Sequence, residues 1–125
     1  MAMTKTVLIV EDDKLTREGL ATMLRIANHS VIDAEDGEQA LEVLASKVPD
    51  LIITDIHMPN MDGLAMVERI RADPGLSALP VIILTNDDTT MTVNRALASG
   101  VTVYLSKANL APEALSQQIL IALGE

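Results

Sequence analysis

Five short, almost purely aliphatic runs separated by helical stripes constrain this chain more than any other feature. The runs are Val7 to Val10, Val31 to Ala34, Leu51 to Thr54, Val81 to Leu84 and Val101 to Leu105. Four of them are rich in β-branched residues and lack polar alternation. Strands buried on both faces of a parallel sheet read this way. The second run, Val31-Ile32-Asp33-Ala34, is partly polar and suits an edge strand. Between the runs, apolar residues recur at helical spacing: Leu15, Leu20, Met23, Leu24 and Ala27; then Ala40, Leu41, Val43 and Leu44; then Leu64, Val67 and Ile70; then Val93, Ala96 and Leu97; finally Leu115, Ile119, Leu120 and Leu123. Asp36 with Gln39 resembles a capping box at the start of the second stripe. Gly100 suits the C-terminal cap of the fourth, and Pro112 the first turn of the fifth. Pro49, Pro74-Gly75 and Pro80 punctuate the connections.

Strand and helix thus alternate five times, which predicts an α/β fold with a parallel, doubly wound sheet. The 125 residues suit one domain over 1–125, with no second domain, linker or repeat visible. The chain has no Phe, no Trp and one Tyr, so it lacks the stacking side chains of single-stranded nucleic acid binders. Its net charge of −9, with no basic stripe, disfavours nucleic acid and anionic membranes. With no Cys, disulfides and thiolate metal sites are excluded. The apolar runs are too short to span a bilayer, and Met1 to Thr6 carry no secretory core, so the expected location is cytoplasmic.

In open α/β sheets, ligands bind beyond the carboxyl ends of the strands. Glu11, Asp12 and Asp13 follow the first run, Asp55 ends the third, Thr85 ends the fourth, and Lys107 lies just past the fifth. Carboxylates without Cys or a His cluster suit a hard cation, Mg²⁺ before Zn²⁺. Asp12 and Asp55 could hold it directly and Glu11 through water. Asp55 is also a candidate nucleophile, because a carboxylate can form an acyl phosphate. Phosphoryl transfer needs positioning and charge neutralisation, which the cation, the Lys107 ammonium and the Thr85 hydroxyl can supply.

These residues carry a resemblance. Val10-Glu11-Asp12-Asp13, the stretch Asp55-Ile56-His57-Met58-Pro59-Asn60-Met61-Asp62-Gly63, Thr85 and Tyr104-Leu105-Ser106-Lys107 occur in order at the expected strand ends. Along essentially its whole length the chain resembles response regulator receiver domains of two-component signalling. The resemblance implies a flavodoxin-like strand order 2-1-3-4-5. It implies that Asp55 accepts a phosphoryl group from a phosphohistidine on a histidine kinase or phosphotransfer protein. Glu11, Asp12, Asp55 and the His57 carbonyl would hold Mg²⁺, while Thr85 and Lys107 contact the phosphoryl group. Thr85 and Tyr104 would shift together and alter the face built from the fourth helix, fifth strand and fifth helix. An output domain, an effector or a second copy would meet that face. His57, Asn86 and Asp87 stand at positions that tune acyl-phosphate lifetime. Such a domain is no enzyme in the ordinary sense, since it catalyses at most its own phosphorylation and dephosphorylation.

Two residues depart from the family pattern: Ala108 stands where proline usually follows the lysine, and Asn86 where a small residue usually follows the threonine. They leave room for a receiver-like interaction module that is never phosphorylated. A flavin carrier would want a hydroxyl- and glycine-rich loop after the first strand, and an aspartate phosphohydrolase an Asp-x-Asp motif on that strand; the chain has neither. Singly, several residues have ordinary readings. Asp12 or Asp13 caps the first helix, Asp62 caps the third with Gly63 permitting a tight approach, and Met58, Met61 and Met66 pack. His57 is a loop side chain, and His29 is expected in a surface turn.

Overall fold

The computed structural model describes residues 4–124; Met1 to Met3 and Glu125 lie outside them. Strands β1 (Thr6–Val10), β2 (Ser30–Ala34), β3 (Leu51–Thr54), β4 (Val81–Thr85) and β5 (Val103–Ser106) alternate with helices α1 (Lys14–Ile26), α2 (Gly37–Ser46), α3 (Gly63–Ala72), α4 (Thr90–Ser99) and α5 (Pro112–Ala122). All strand pairs are parallel, in the order β2-β1-β3-β4-β5. The alternating pattern predicts the parallel, doubly wound sheet, and the family resemblance implies its flavodoxin-like order; both are observed. Among the described residues, no helix is long and apolar enough to cross a membrane.

The strands alternate faces with period two, and both faces are apolar. Leu8, Val10, Ile52, Val81 and Ile83 pack under α2, α3 and α4, through Ala40, Leu44, Leu64, Val67, Ile70 and Ala96. Val7, Ile9, Leu51, Ile53, Ile82 and Leu84 pack under α1 and α5, through Ala21, Leu24, Leu115, Ile119 and Leu123. Burying each large aliphatic contributes about 1.5–3 kcal/mol, so this double-sided cover dominates the stability. The polar strand β2 is indeed an edge.

Caps fix where the helices begin. Asp13, Asp36, Asp62 and Thr89 accept from the backbone N–H of Thr16, Gln39, Ala65 and Thr92. The reciprocal bond of the predicted capping box shifts by one residue: Gln39 Oε1 accepts from Glu35 N–H, not from Asp36. Gly100 closes α4 in the left-handed region at φ 87°.

Several expectations need correction. The fifth strand starts at Val103; Thr102 N–H donates to the Val81 carbonyl, but it is the Thr102 hydroxyl that accepts from Val81 N–H. Leu15 and Ala27 lie exposed at the two ends of the α1 stripe, and Leu97 and Leu120 are exposed as well. These positions overhang the sheet or sit at the stripe's margin. His29 is buried: Asn28 turns back at φ 68°, His29 N–H donates to the Leu24 carbonyl, and the imidazole lines a cleft with Met23, Leu24 and Ile119.

Candidate functional site

Sheet register places the candidate side chains together. Val10 pairs with Thr54, so the residues that follow, Glu11 and Asp55, leave the sheet side by side. Asp55 N–H donates to the Val10 carbonyl at 3.1 Å, and Ile56 N–H donates to Asp55 Oδ1 at 2.7 Å, which fixes the carboxylate. Thr85 pairs with Ser106, which brings Lys107 to the same edge. Lys107 Nζ donates to Glu11 Oε1 at 2.6 Å and to Asp55 Oδ2 at 2.9 Å. Glu11, Asp12 and Asp55 each present a carboxylate oxygen within 4.8 Å of the others. Glu11 is buried, Asp55 half-buried and Asp12 exposed, so the cluster opens to solvent on the Asp12 side.

Burial pushes the Glu11 carboxyl above its ordinary range, against the pull of Lys107. Burial alone would lower Lys107, but its hydrogen bonds to Glu11 and Asp55 outweigh this and hold the ammonium above its usual value. The donor set is oxygen only, which fits a hard divalent cation such as Mg²⁺.

The close turn after Asp55 depends on Gly63. Its N–H donates to the Ile56 carbonyl at 2.8 Å, and any Cβ there would overlap the Asp55 carbonyl oxygen. Asp62, the cap of α3, also pairs with Arg95 of α4 at 3.2 Å.

A second cluster centres on Asp87. Its N–H donates to the hydroxyl of buried Thr85 at 3.2 Å, and its carbonyl accepts from the Tyr104 hydroxyl. Its carboxylate meets His57 Nε2 at 2.6 Å, Thr89 Oγ1 at 2.8 Å and Thr92 Oγ1 at 2.9 Å. The His57 bond, then those from Thr89 and Thr92, hold Asp87 well below the usual carboxylate range. Burial, then the negative charges of Asp87, Asp88 and Asp55, raise the Tyr104 hydroxyl. Asn86 is exposed beside this cluster.

Sequence reading selects Glu11, Asp12, Asp55 and Lys107, and the fold brings all four together. It places Thr85, Tyr104, His57 and Asp87 in the adjoining network and joins them through Asp87. His57 contributes its imidazole to Asp87 and is 66% exposed. All peptide bonds among the described residues are trans, including Lys107–Ala108, where a 3₁₀ turn over Lys107–Asn109 starts. One participant carries no motif. Arg17 of α1 donates from Nη1 to the Glu11 carbonyl at 2.8 Å. Its signal is a cation on the same helix face as buried Ala21 and Leu24, four and seven residues on.

The family model for the response regulator receiver domain matches residues 7–120. The chain belongs to the response regulator receiver family. A gliding motility regulatory protein of Myxococcus xanthus is 35% identical over 113 residues, which are 90% of this chain and 14% of that protein. Response regulator MprA of Mycolicibacterium vanbaalenii is 34% identical over 115 residues, 92% of this chain and 49% of that protein. The chain therefore spans half or less of these curated relatives. Among solved structures, the receiver domain of a sensor histidine kinase of Pseudomonas aeruginosa PAO1, with a magnesium ion coordinated in its active site cleft, is similar at TM-score 0.89 and 26% identity, covering 98% of this chain and 100% of that one. This receiver is thus a signalling domain of the two-component type.

Proposed function

We propose that this receiver, read as one domain over 1–125, takes a phosphoryl group onto Asp55 from a phosphohistidine on a histidine kinase or phosphotransfer protein. The observation that carries the reading is Lys107 Nζ held between Glu11 and Asp55, with Asp12 completing a set of three carboxylates within 4.8 Å. A carboxylate oxygen of Asp55 attacks phosphorus; the O–P bond forms as the N–P bond breaks, and the departing imidazole nitrogen takes up a proton. Ile56 N–H fixes the attacking carboxylate, and Lys107 offsets charge on the phosphoryl oxygens. Asp12, Asp55, the His57 carbonyl and, through water, Glu11 would hold Mg²⁺, which would supply further positive charge for the transfer.

The Thr85 hydroxyl turns toward the new phosphoryl group and gives up its bond from Asp87 N–H. Tyr104, bonded to the Asp87 carbonyl, moves with it, and the α4-β5-α5 face changes for an output domain, an effector or a second copy. His57, Asn86 and Asp87 at the mouth of the site set how long the acyl phosphate lasts. This domain turns over nothing but its own acyl phosphate, acts in the cytoplasm, and itself contacts neither nucleic acid nor membrane directly.

The test is incubation with Mg²⁺ and acetyl phosphate followed by intact mass, with Asp55→Asn as control. A single phosphoryl adduct that needs Mg²⁺ and vanishes in the variant is expected. No adduct, where another receiver labels fully, would replace this reading with a constitutive interaction module.

A further inference from the structure

Asp12 is the exposed member of the carboxylate cluster, so what sets its position lies in its neighbours. Glu11, just before it, is pinned at every polar group. Its N–H donates to the Ala34 carbonyl at 3.0 Å, Oε1 accepts from Lys107 at 2.6 Å, and Oε2 accepts from Asp13 N–H at 3.1 Å. Its carbonyl accepts from Arg17 Nη1 at 2.8 Å. That carbonyl belongs to the peptide plane joining Glu11 to Asp12, so the guanidinium fixes the plane from which Asp12 projects.

Arg17 is itself anchored. Its side chain is only 12% exposed, and it lies 3.8 Å from Asp33 of β2 and 3.7 Å from Glu35, which directly follows that strand. Those two acids are more than half exposed and the distances are long, so they orient the guanidinium weakly. The bond to the Glu11 carbonyl is the short and largely desolvated one.

We propose that Arg17 is a positioning residue for the cation site: its bond to the Glu11 carbonyl sets where the Asp12 carboxylate stands relative to Asp55. Arg17 touches neither the cation nor the phosphoryl group. The role rests on the Mg²⁺ pocket proposed above.

The measurement is Mg²⁺ affinity by titration calorimetry on the full chain, for wild type, Arg17→Met, Arg17→Lys and the double variant Asp33→Asn/Glu35→Gln, with circular dichroism to establish folding. Groups that orient metal ligands from behind commonly govern affinity by at least ten-fold. Arg17→Met is expected to bind Mg²⁺ about ten-fold more weakly. Arg17→Lys, which can still donate to the carbonyl, recovers most of the loss. The double acid variant stays close to wild type, because it leaves that bond intact. A purely structural role predicts instead that affinity follows the loss of stability in all three variants, and that pattern overturns the proposal. Unchanged affinity in folded Arg17→Met, with wild type binding normally, overturns the positioning role alone. A wild-type chain that binds no Mg²⁺ overturns the pocket itself, and Arg17's role with it.

Discussion

Lys107 and buried Glu11 form an ion pair, Nζ to Oε1 at 2.6 Å, between the residues that directly follow β5 and β1. Glu11 is 2% exposed, so removing the ammonium leaves a carboxylate with little water to replace it. Lys107→Met is expected to cost about 2–3 kcal/mol near neutral pH, below the full range for a buried pair because Lys107 keeps some solvent contact. Burial raises the Glu11 carboxyl above its ordinary 4.5, so its contribution is fully present below that value and is lost as pH rises through the folded-state value. Lys107 pulls that carboxyl down, so its removal raises the carboxyl further, the variant gains more than wild type on acidification, and its deficit should shrink as pH falls. Urea unfolding at several pH values checks this; a deficit that grows on acidification would refute it.

Three carboxylates within 4.8 Å of one another repel, and one ammonium offsets them only in part. A cation that binds the folded state alone stabilises it by mass action, by about 2.7 kcal/mol at a hundred-fold excess over Kd. Mg²⁺ is expected to raise the melting temperature by several degrees in wild type and by much less in Asp12→Asn. Equal melting curves with and without Mg²⁺ would remove the pocket.

Asp36 tests the acid side with the opposite sign. Gln39 N–H and the Asn60 side chain hold its carboxyl below the ordinary 3.8. The stability it contributes is present above pH 3.8 and is lost as pH falls through the lower folded-state value. Asp36→Asn keeps an acceptor for the cap but cannot titrate. Its melting temperature should fall less steeply than wild type's below pH 3.8. Parallel acid limbs would show that Asp36 carries no such linkage.

Gly63 has no room for a side chain, because a Cβ would overlap the Asp55 carbonyl oxygen. The obstacle is backbone, so the turn itself must move. Gly63→Ala is expected to cost about 3 kcal/mol and to reduce acyl-phosphate formation by displacing Asp55. Unfolding free energy and intact-mass labelling read the two effects separately. Wild-type labelling in a destabilised variant would confine Gly63 to folding.

The strands were legible because covering both faces demands aliphatic side chains throughout, as in Val7 to Val10 and Val81 to Leu84. The four residues Glu11, Asp12, Asp55 and Lys107 were legible because parallel strands deliver their following residues to one edge. Stripe margins were not: Leu15 and Leu97 share the helical period of buried neighbours yet are 80% and 65% exposed, since periodicity does not say where a helix outruns the sheet. His29 is buried by a backbone reversal at Asn28 that no spacing announces. Arg17 lies outside any search for apolar periodicity, although it shares the buried face of α1. The convergence on Asp87 needs the α4 cap and the β5 register together, and neither is local to Asp87.

On the proposed phosphotransfer, that convergence would separate capture of the phosphoryl group from its consequences. Tyr104 meets Asp87 through one hydroxyl, and Asp87 in turn holds Thr85, His57 and the first turn of α4. Tyr104→Phe removes that hydroxyl without touching Glu11, Asp12, Asp55 or Lys107. The loss of one neutral hydrogen bond is expected to cost about 1 kcal/mol. Labelling of Asp55 by acetyl phosphate should keep its wild-type rate and its dependence on Mg²⁺. Backbone amide shifts of Thr89 to Val93, followed by NMR before and after labelling, should change less in the variant, because the tie between Asp87 and β5 is missing. If labelling itself slows several-fold, Tyr104 belongs to the reaction and not to its readout. If the α4 shifts match wild type, movement reaches that helix through Thr85 and Asp87 alone.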